Sequence, residues 1–200
     1  MRLFRDLFGL VISEGDLNAV LQRAKPCFDR QVAAILVRLR KSRVIYSDET
    51  SVRVDGSKWW NWVFQNDDIV LHVIRRGRDR GVIEDVLDGH RPALWVSDLY
   101  GPQQGHADAW QVCLAHQLRD CQYAIDAGDA MFAPRMKRLL LRAFVIAKRR
   151  KDLVASTRRS YLSGLNRDLD AIMALPVKTR GWQAVAQTLR QTSRFAVHVS

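Results

Sequence analysis

The hydrophobic period of the chain changes at Val44, and that change restricts the fold more than any other feature of the sequence. Upstream, apolar residues recur at roughly 3.6-residue spacing, as on a helix face. From Val44 they alternate with period two through VIYSDET, SVRVDG, KWWNWVF and IVLHVIR, stretches rich in β-branched and aromatic residues. These runs predict consecutive strands. Asp55-Gly56 and Asn66-Asp67-Asp68 supply turn chemistry between them, so an antiparallel meander is expected. A helix follows over residues 78–87, with Val82, Ile83, Val86 and Leu87 as its buried stripe and Gly89 as its end. The next apolar run, PALWVSD, lacks alternation, as does a central strand covered on both faces. The order read from the sequence is therefore β-β-β-α-β.

Helices are expected on either side of these strands. Ser13 with Asp16 resembles a capping box, and Leu17, Val20, Leu21 and Ala24 continue at helical spacing. Pro26 is expected to break that helix. A second one would carry Phe28, Val32, Ile35, Leu36 and Leu39 on one face, both helices serving as packing elements. Gly101, Pro102 and Gly105 mark a loop, after which Val112, Leu114 and Ala115 lead into a helical stretch with Leu118 and Ala124. Residues 131–175 also read as helical, stopped by Pro176.

Two carboxylates occupy one niche. Asp48 follows VIYS and Asp98 follows ALWVS, each read as the point where an apolar strand opens onto a loop. On neighbouring strands both would project from one sheet edge and could share divalent cations, which two-metal sites hold about 3.5–4 Å apart. Mg²⁺ prefers carboxylate oxygens and retains waters, so a few acids suffice. Asp at a strand end also serves as a turn former or cap. Cys113 and His116 in CLAH have zinc-ligand spacing, but only Cys121 lies nearby as a third donor where structural zinc takes four. His72, His90 and His106 stand singly in a strand, a turn and a loop and read as structural.

The chain carries 32 Lys+Arg against 21 Asp+Glu, a formal charge of +11, which favours a nucleic-acid partner. The charge is concentrated. Between Pro134 and Ser160 lie Arg135, Lys137, Arg138, Arg142, Lys148, Arg149, Arg150, Lys151, Arg158 and Arg159 against the single acid Asp152. Such helices suit contact with the phosphate backbone rather than base reading, and equally form a solvated face. Trp59, Trp60 and Trp62 can stack on bases, or belong to core and surface of an alternating strand. Three cysteines argue against a disulfide framework and for a reducing compartment, the cytoplasm by default. The uncharged run Leu7 to Ile12 is too short for a secretory signal, and no stretch is long and apolar enough to cross a membrane.

The strings SDET, G-x-K-x-W-x-W-V-F, VSDLY, QVCLAHQLRD and AIDAGDAMFAP, followed by the basic helical run, resemble the insertion sequence 66 transposase family over about residues 9–190. The pairing of VSDLY with QVCLAHQLRD is the most specific part. The resemblance implies an α/β fold with a ribonuclease H-like mixed sheet, an N-terminal helical pair and a C-terminal helical insertion. It further implies an Asp-Asp-Glu metal triad in which Asp48 and Asp98 are the first two acids and metal ligands, with Mg²⁺ or Mn²⁺ as cofactor. Cys113 and His116 look like the C/D-x-x-H signature of the active-site region. The implied activity is metal-dependent DNA cleavage and strand transfer in transposition, with transposon ends and target DNA as partners; a homo-oligomer is compatible with the sequence.

The sequence departs from the family at the third acid, a Glu in an N-x-x-S-E-R-x-L-R-like motif. Glu14, Glu49 and Glu84 are the chain's glutamates, so none follows Asp98, and Asp120, Asp126, Asp129, Asp152, Asp168 and Asp170 sit in no matching motif. The expectation is a catalytic-core fragment, truncated before the third acid and inactive alone. Its expected divisions are a helical segment over 1–43, a partial catalytic core over 44–125 and a basic helical region over 126–200. The alternative is a non-catalytic DNA-binding or oligomerising module derived from a transposase.

Overall fold

The computed structural model describes residues 2–175, apart from the side chains of Arg2 and Arg150. The chain forms two compact units, Met1–Pro92 and Ala93–Ser200. Together the described residues make a mixed α/β fold of six α-helices and five strands.

In the first unit, α1 (Arg2–Phe8) precedes α2 (Glu14–Leu39). Ser13 caps α2 as its pattern predicts: its hydroxyl accepts from Asp16 N at 3.1 Å, and Asp16 Oδ2 accepts from Ser13 N at 2.9 Å. These bonds hold the Asp16 carboxyl below its usual range. Pro26 does not break the helix, which runs through it for 26 residues. Proline removes one N–H and crowds one carbonyl, a local loss that the turns on either side outlast. Nor is α2 the packing element its periodicity suggests, since Leu39 is its one buried residue.

The meander consists of β1 (Val44–Val54), β2 (Ser57–Gln65) and β3 (Val70–Arg75), each antiparallel to the next. VIYSDET and SVRVDG are one strand rather than two. The turn comes at Asp55-Gly56, both with positive φ (47° and 73°), which joins Val54 to Ser57 in a two-residue hairpin of the type favoured by strand twist. Asn66 closes the second turn by accepting from Asp68 N and Ile69 N, both at 2.8 Å. One face of the meander is buried through Ile45, Trp62, Phe64 and Leu71, with Trp62 stacked on Phe64 at 6.2 Å. Helix α3 (Arg80–Leu87) buries Val82, Ile83, Val86 and Leu87, starts on the Asp79 cap and ends with Asp88 and Gly89 in left-handed conformation.

The second unit opens with β4 (Leu94–Ser97), which pairs in parallel with β5 (Ala109–Val112), a strand absent from the sequence reading. Helices α4 (Leu114–Asp126), α5 (Ala133–Lys148) and α6 (Ala155–Met173) then share a core of Phe132, Met136, Leu140, Leu165, Leu169 and Met173 around Cys121. The helical stretch over 131–175 is thus two helices, with a 3-10 turn at Arg150–Asp152 between them. Pro176 lies outside the described residues.

Candidate active site

In the second unit, the carboxyl ends of β4 and β5 lie side by side, because Ser97 is in register with Val112. Asp98 follows one strand and Cys113 the other, and Cys113 N donates to Ser97 O at 2.6 Å. Cys113 is the N-cap residue of α4, so His116 falls in the first turn of that helix. Parallel pairing therefore brings Asp98 and the C-x-x-H element to one edge, where open α/β sheets bind ligands.

The loop after β4 is held by its own side chains. Asp98 Oδ1 accepts from Tyr100 N at 3.0 Å, and Trp110 Nε1 donates to Ser97 Oγ at 2.9 Å. Gln103, fully buried, accepts from Trp95 Nε1 at 3.1 Å. His106 donates from Nε2 to Pro102 O at 2.7 Å with its ring 5.5 Å from that of Trp95. Gln103 went unnoticed in the sequence because an isolated glutamine in a Gly-Pro loop carries no signal of burial. His90 faces Ser42 O at 3.0 Å and His72 faces Asn61 at 3.3 Å.

Asp120 lies one helical turn after His116 and is half-buried. Its carboxyl is pushed above the usual range by burial, against the opposing charges of His116 and Arg119, with the charge of Asp98 the smallest influence, also raising it. Gln117 Nε2 donates to it at 3.4 Å. Burial pushes the Cys121 thiol up to about 12, and the residue sits at the centre of the helical core. The Asp129 carboxylate accepts from the backbone of Met131, Phe132 and Ala133 in the turn that leads into α5. Asp168 pairs with Arg142. Among the described residues, no group of three or more His, Cys, Asp or Glu is placed to hold a metal ion.

In the first unit, Asp48 lies within β1 opposite Val63 rather than at the strand's end, and it is exposed. Its Oδ1 accepts from Glu49 N at 2.9 Å. The next residue, unremarked in the sequence, is the buried one: Glu49 has a fully buried side chain paired with Arg78, whose Nη2 and Nε lie 2.7 and 2.9 Å from Oε1. Its alternation with the inward Ile45 and Ser47 was the available signal. Arg78 also covers Trp60 at 4.5 Å, joined by Lys58 at 4.6 Å, and Arg76 covers Trp59 at 5.0 Å. Trp62 is core, with its Nε1 donating to Gly77 O at 3.2 Å.

The cations expected at DNA divide by environment. Arg135, Arg138, Arg142, Lys148, Arg149 and Lys151 are exposed, whereas Lys137 is half-buried and bonded to Gln122. Helix α5 turns Ala133, Met136, Leu139, Leu140 and Ala143 inward, which leaves its basic residues outside. The side chain of Arg150 lies outside the described residues. No helix among the described residues is long and apolar enough to cross a membrane.

No curated protein matches the chain. The family model described as "Transposase IS66 family" matches residues 1–200. VSDLY and QVCLAHQLRD meet side by side at the ends of β4 and β5 within the matched range, and the chain belongs to the insertion sequence 66 transposases.

Proposed function

We propose that this chain is the catalytic-core portion of a DNA transposase, with a ribonuclease H-like sheet and with Asp48 and Asp98 as the first two acids of its metal site. The observation that carries the reading is Asp98 at the carboxyl end of β4 beside Cys113 at the carboxyl end of β5. Carboxylate oxygens fit a hard divalent ion in kind, and two of them suit Mg²⁺ or Mn²⁺, which complete their coordination with water and substrate phosphate. When bound, such ions activate the attacking oxygen and stabilise the leaving one.

The chain's own residues then divide the work. Asp48 and Asp98 would hold the ions, the Asp98–Tyr100 turn sets one carboxylate, and Cys113 and His116 line the edge that carries Asp98. The exposed cations of α5 and the following turn, Arg135, Arg138, Arg142, Lys148, Arg149 and Lys151, with Lys137 and Arg150, contact the phosphate backbone of transposon ends and target. Residues 1–43 act as a helical preface to the core over 44–125, and 126–200 as the basic region, of which 176–200 lie outside the described residues. No glutamate follows Asp98 in these 200 residues. The purified chain is therefore expected to bind metal weakly and to transfer no strand; strand transfer abolished by Asp48→Asn would show that expectation wrong.

Iron-directed cleavage tests the metal site itself. With Fe²⁺, ascorbate and peroxide in place of Mg²⁺, backbone breaks are expected near residues 48 and 98, suppressed by excess Mg²⁺ and absent from the Asp48→Asn, Asp98→Asn double variant. Breaks that ignore both substitutions, or breaks at one acid alone, would overturn the shared site.

A further inference from the structure

Helix α2 leaves most of its apolar residues in solvent: Phe28 is 64% exposed, Leu21 65%, Val20 51% and Val32 42%. The fold fastens the helix by its carboxyl end, where Leu39 is buried and Arg40 donates to Val86 O at 2.8 Å. From Glu14 to Ala34 no residue is buried. Leu17, Leu21, Ala24, Phe28, Gln31 and Ile35 nevertheless repeat at alternating spacings of four and three, the d and a positions of a heptad seam. Within that seam Leu21, Phe28 and Gln31 are exposed while Leu17, Ala24 and Ile35 are half-buried, and an apolar seam left this open marks an interaction surface rather than scattered apolar residues.

We propose that α2 pairs antiparallel with α2 of a second copy of this chain, about a two-fold axis beside Pro26. Side-chain size favours this partner and direction. Pairs equidistant from residue 26 place the small Ala24 opposite the large Phe28, Leu17 opposite Ile35, and Leu21 opposite Gln31. Parallel pairing instead sets Phe28 against Phe28 and Ala24 against Ala24, a bulge next to a void. Charge favours the same direction. Glu14 and Asp16 stand at one end of α2, and Arg38, Lys41 and Arg43 at or just beyond the other. Antiparallel pairing brings each acidic end to a basic one, while parallel pairing sets like against like.

The residues around the axis are compatible with close approach. At about 100° per residue, Pro26 points opposite the seam, so its ring stays outside the interface. Lys25 flanks the seam and meets its own copy, but its charge is engaged by Asp29 of the same helix at 2.6 Å. Cys27 flanks the other side and is exposed, whereas Cys113 is half-buried and Cys121 buried.

Sedimentation velocity of the full chain should show a concentration-dependent dimer. Leu21→Glu with Phe28→Glu should weaken association by at least about a hundredfold, with an unchanged circular dichroism spectrum. A short bifunctional maleimide should join the wild-type chains through Cys27, which needs no variant to fold. In a Cys27→Ser background, a Leu17→Cys chain mixed with an Ile35→Cys chain should form the mixed disulfide dimer. A monomer at every concentration, a dimer indifferent to the two glutamates, or Leu17→Cys chains that join only to one another would overturn the proposal.

Discussion

Asp48 and Asp98 both follow a serine in an apolar strand, yet the protein surrounds them differently. Asp98 is half-buried at a strand end, and the loop after it is fixed by Tyr100, Gln103, His106 and Trp110. Asp48 is exposed in the middle of an 11-residue strand, and the fold invests instead in its neighbour Glu49, fully buried against Arg78. A carboxylate at the end of a parallel strand is positioned by the loop it begins. One inside an antiparallel strand is positioned by the ladder, which leaves its side chain out of the packing.

The largest expected effect tests the second half of that contrast. Arg78→Ala leaves the Glu49 carboxylate buried without its guanidinium and should destabilise the first unit by about 3–5 kcal/mol, measured by urea denaturation. Adding Glu49→Gln should recover part of the loss, because a neutral amide is less costly to bury than a carboxylate that has lost its guanidinium. A small effect of Arg78→Ala would mean that Glu49 is not the anchored acid of β1. Asp98→Ala removes the acceptor for Tyr100 N and should cost about 0.5–1.5 kcal/mol. Asp48→Asn, exposed and retaining an oxygen for Glu49 N, should stay within about 0.5 kcal/mol of wild type.

What was legible in the sequence was local. Alternation, Asp55-Gly56, the Asn66 turn, the Ser13 cap and the stripe of α3 each act within a few residues, and each was read correctly. The division of β1 at Glu49-Thr50-Ser51 was an error of polarity, since polar residues on the solvent face of a strand look like a turn when taken alone. β5 is four residues long and becomes a strand through its pairing with β4. The Glu49–Arg78 pair joins residues 29 apart, beyond any local pattern. For the candidate site, the motif strings led to Asp98 and C-x-x-H, but their adjacency follows from the parallel pair, and the Gln103 and His106 supports follow from burial. Pro26 misled because its local penalty was read as a stop, whereas the capped helix continues on both sides.

The smallest expected effects concern Asp120, whose titration reports on the first half of the contrast. Its proton is held more tightly in the folded chain than at the ordinary value of 3.8. The stability contributed by the protonated form is therefore full below that value and lost as pH rises through the raised folded one. At neutral pH the ionised carboxylate is a liability, so Asp120→Asn should melt slightly higher than wild type, with the gap closing as the medium is acidified. Burial is the larger cause of the shift and Asp98 a lesser one, so Asp98→Asn should lower the Asp120 titration only part of the way, followed by carboxyl-carbon NMR. An unmoved titration would mean that the charge of Asp98 is not felt on α4, and would separate the strand-end acid from the helix that carries His116.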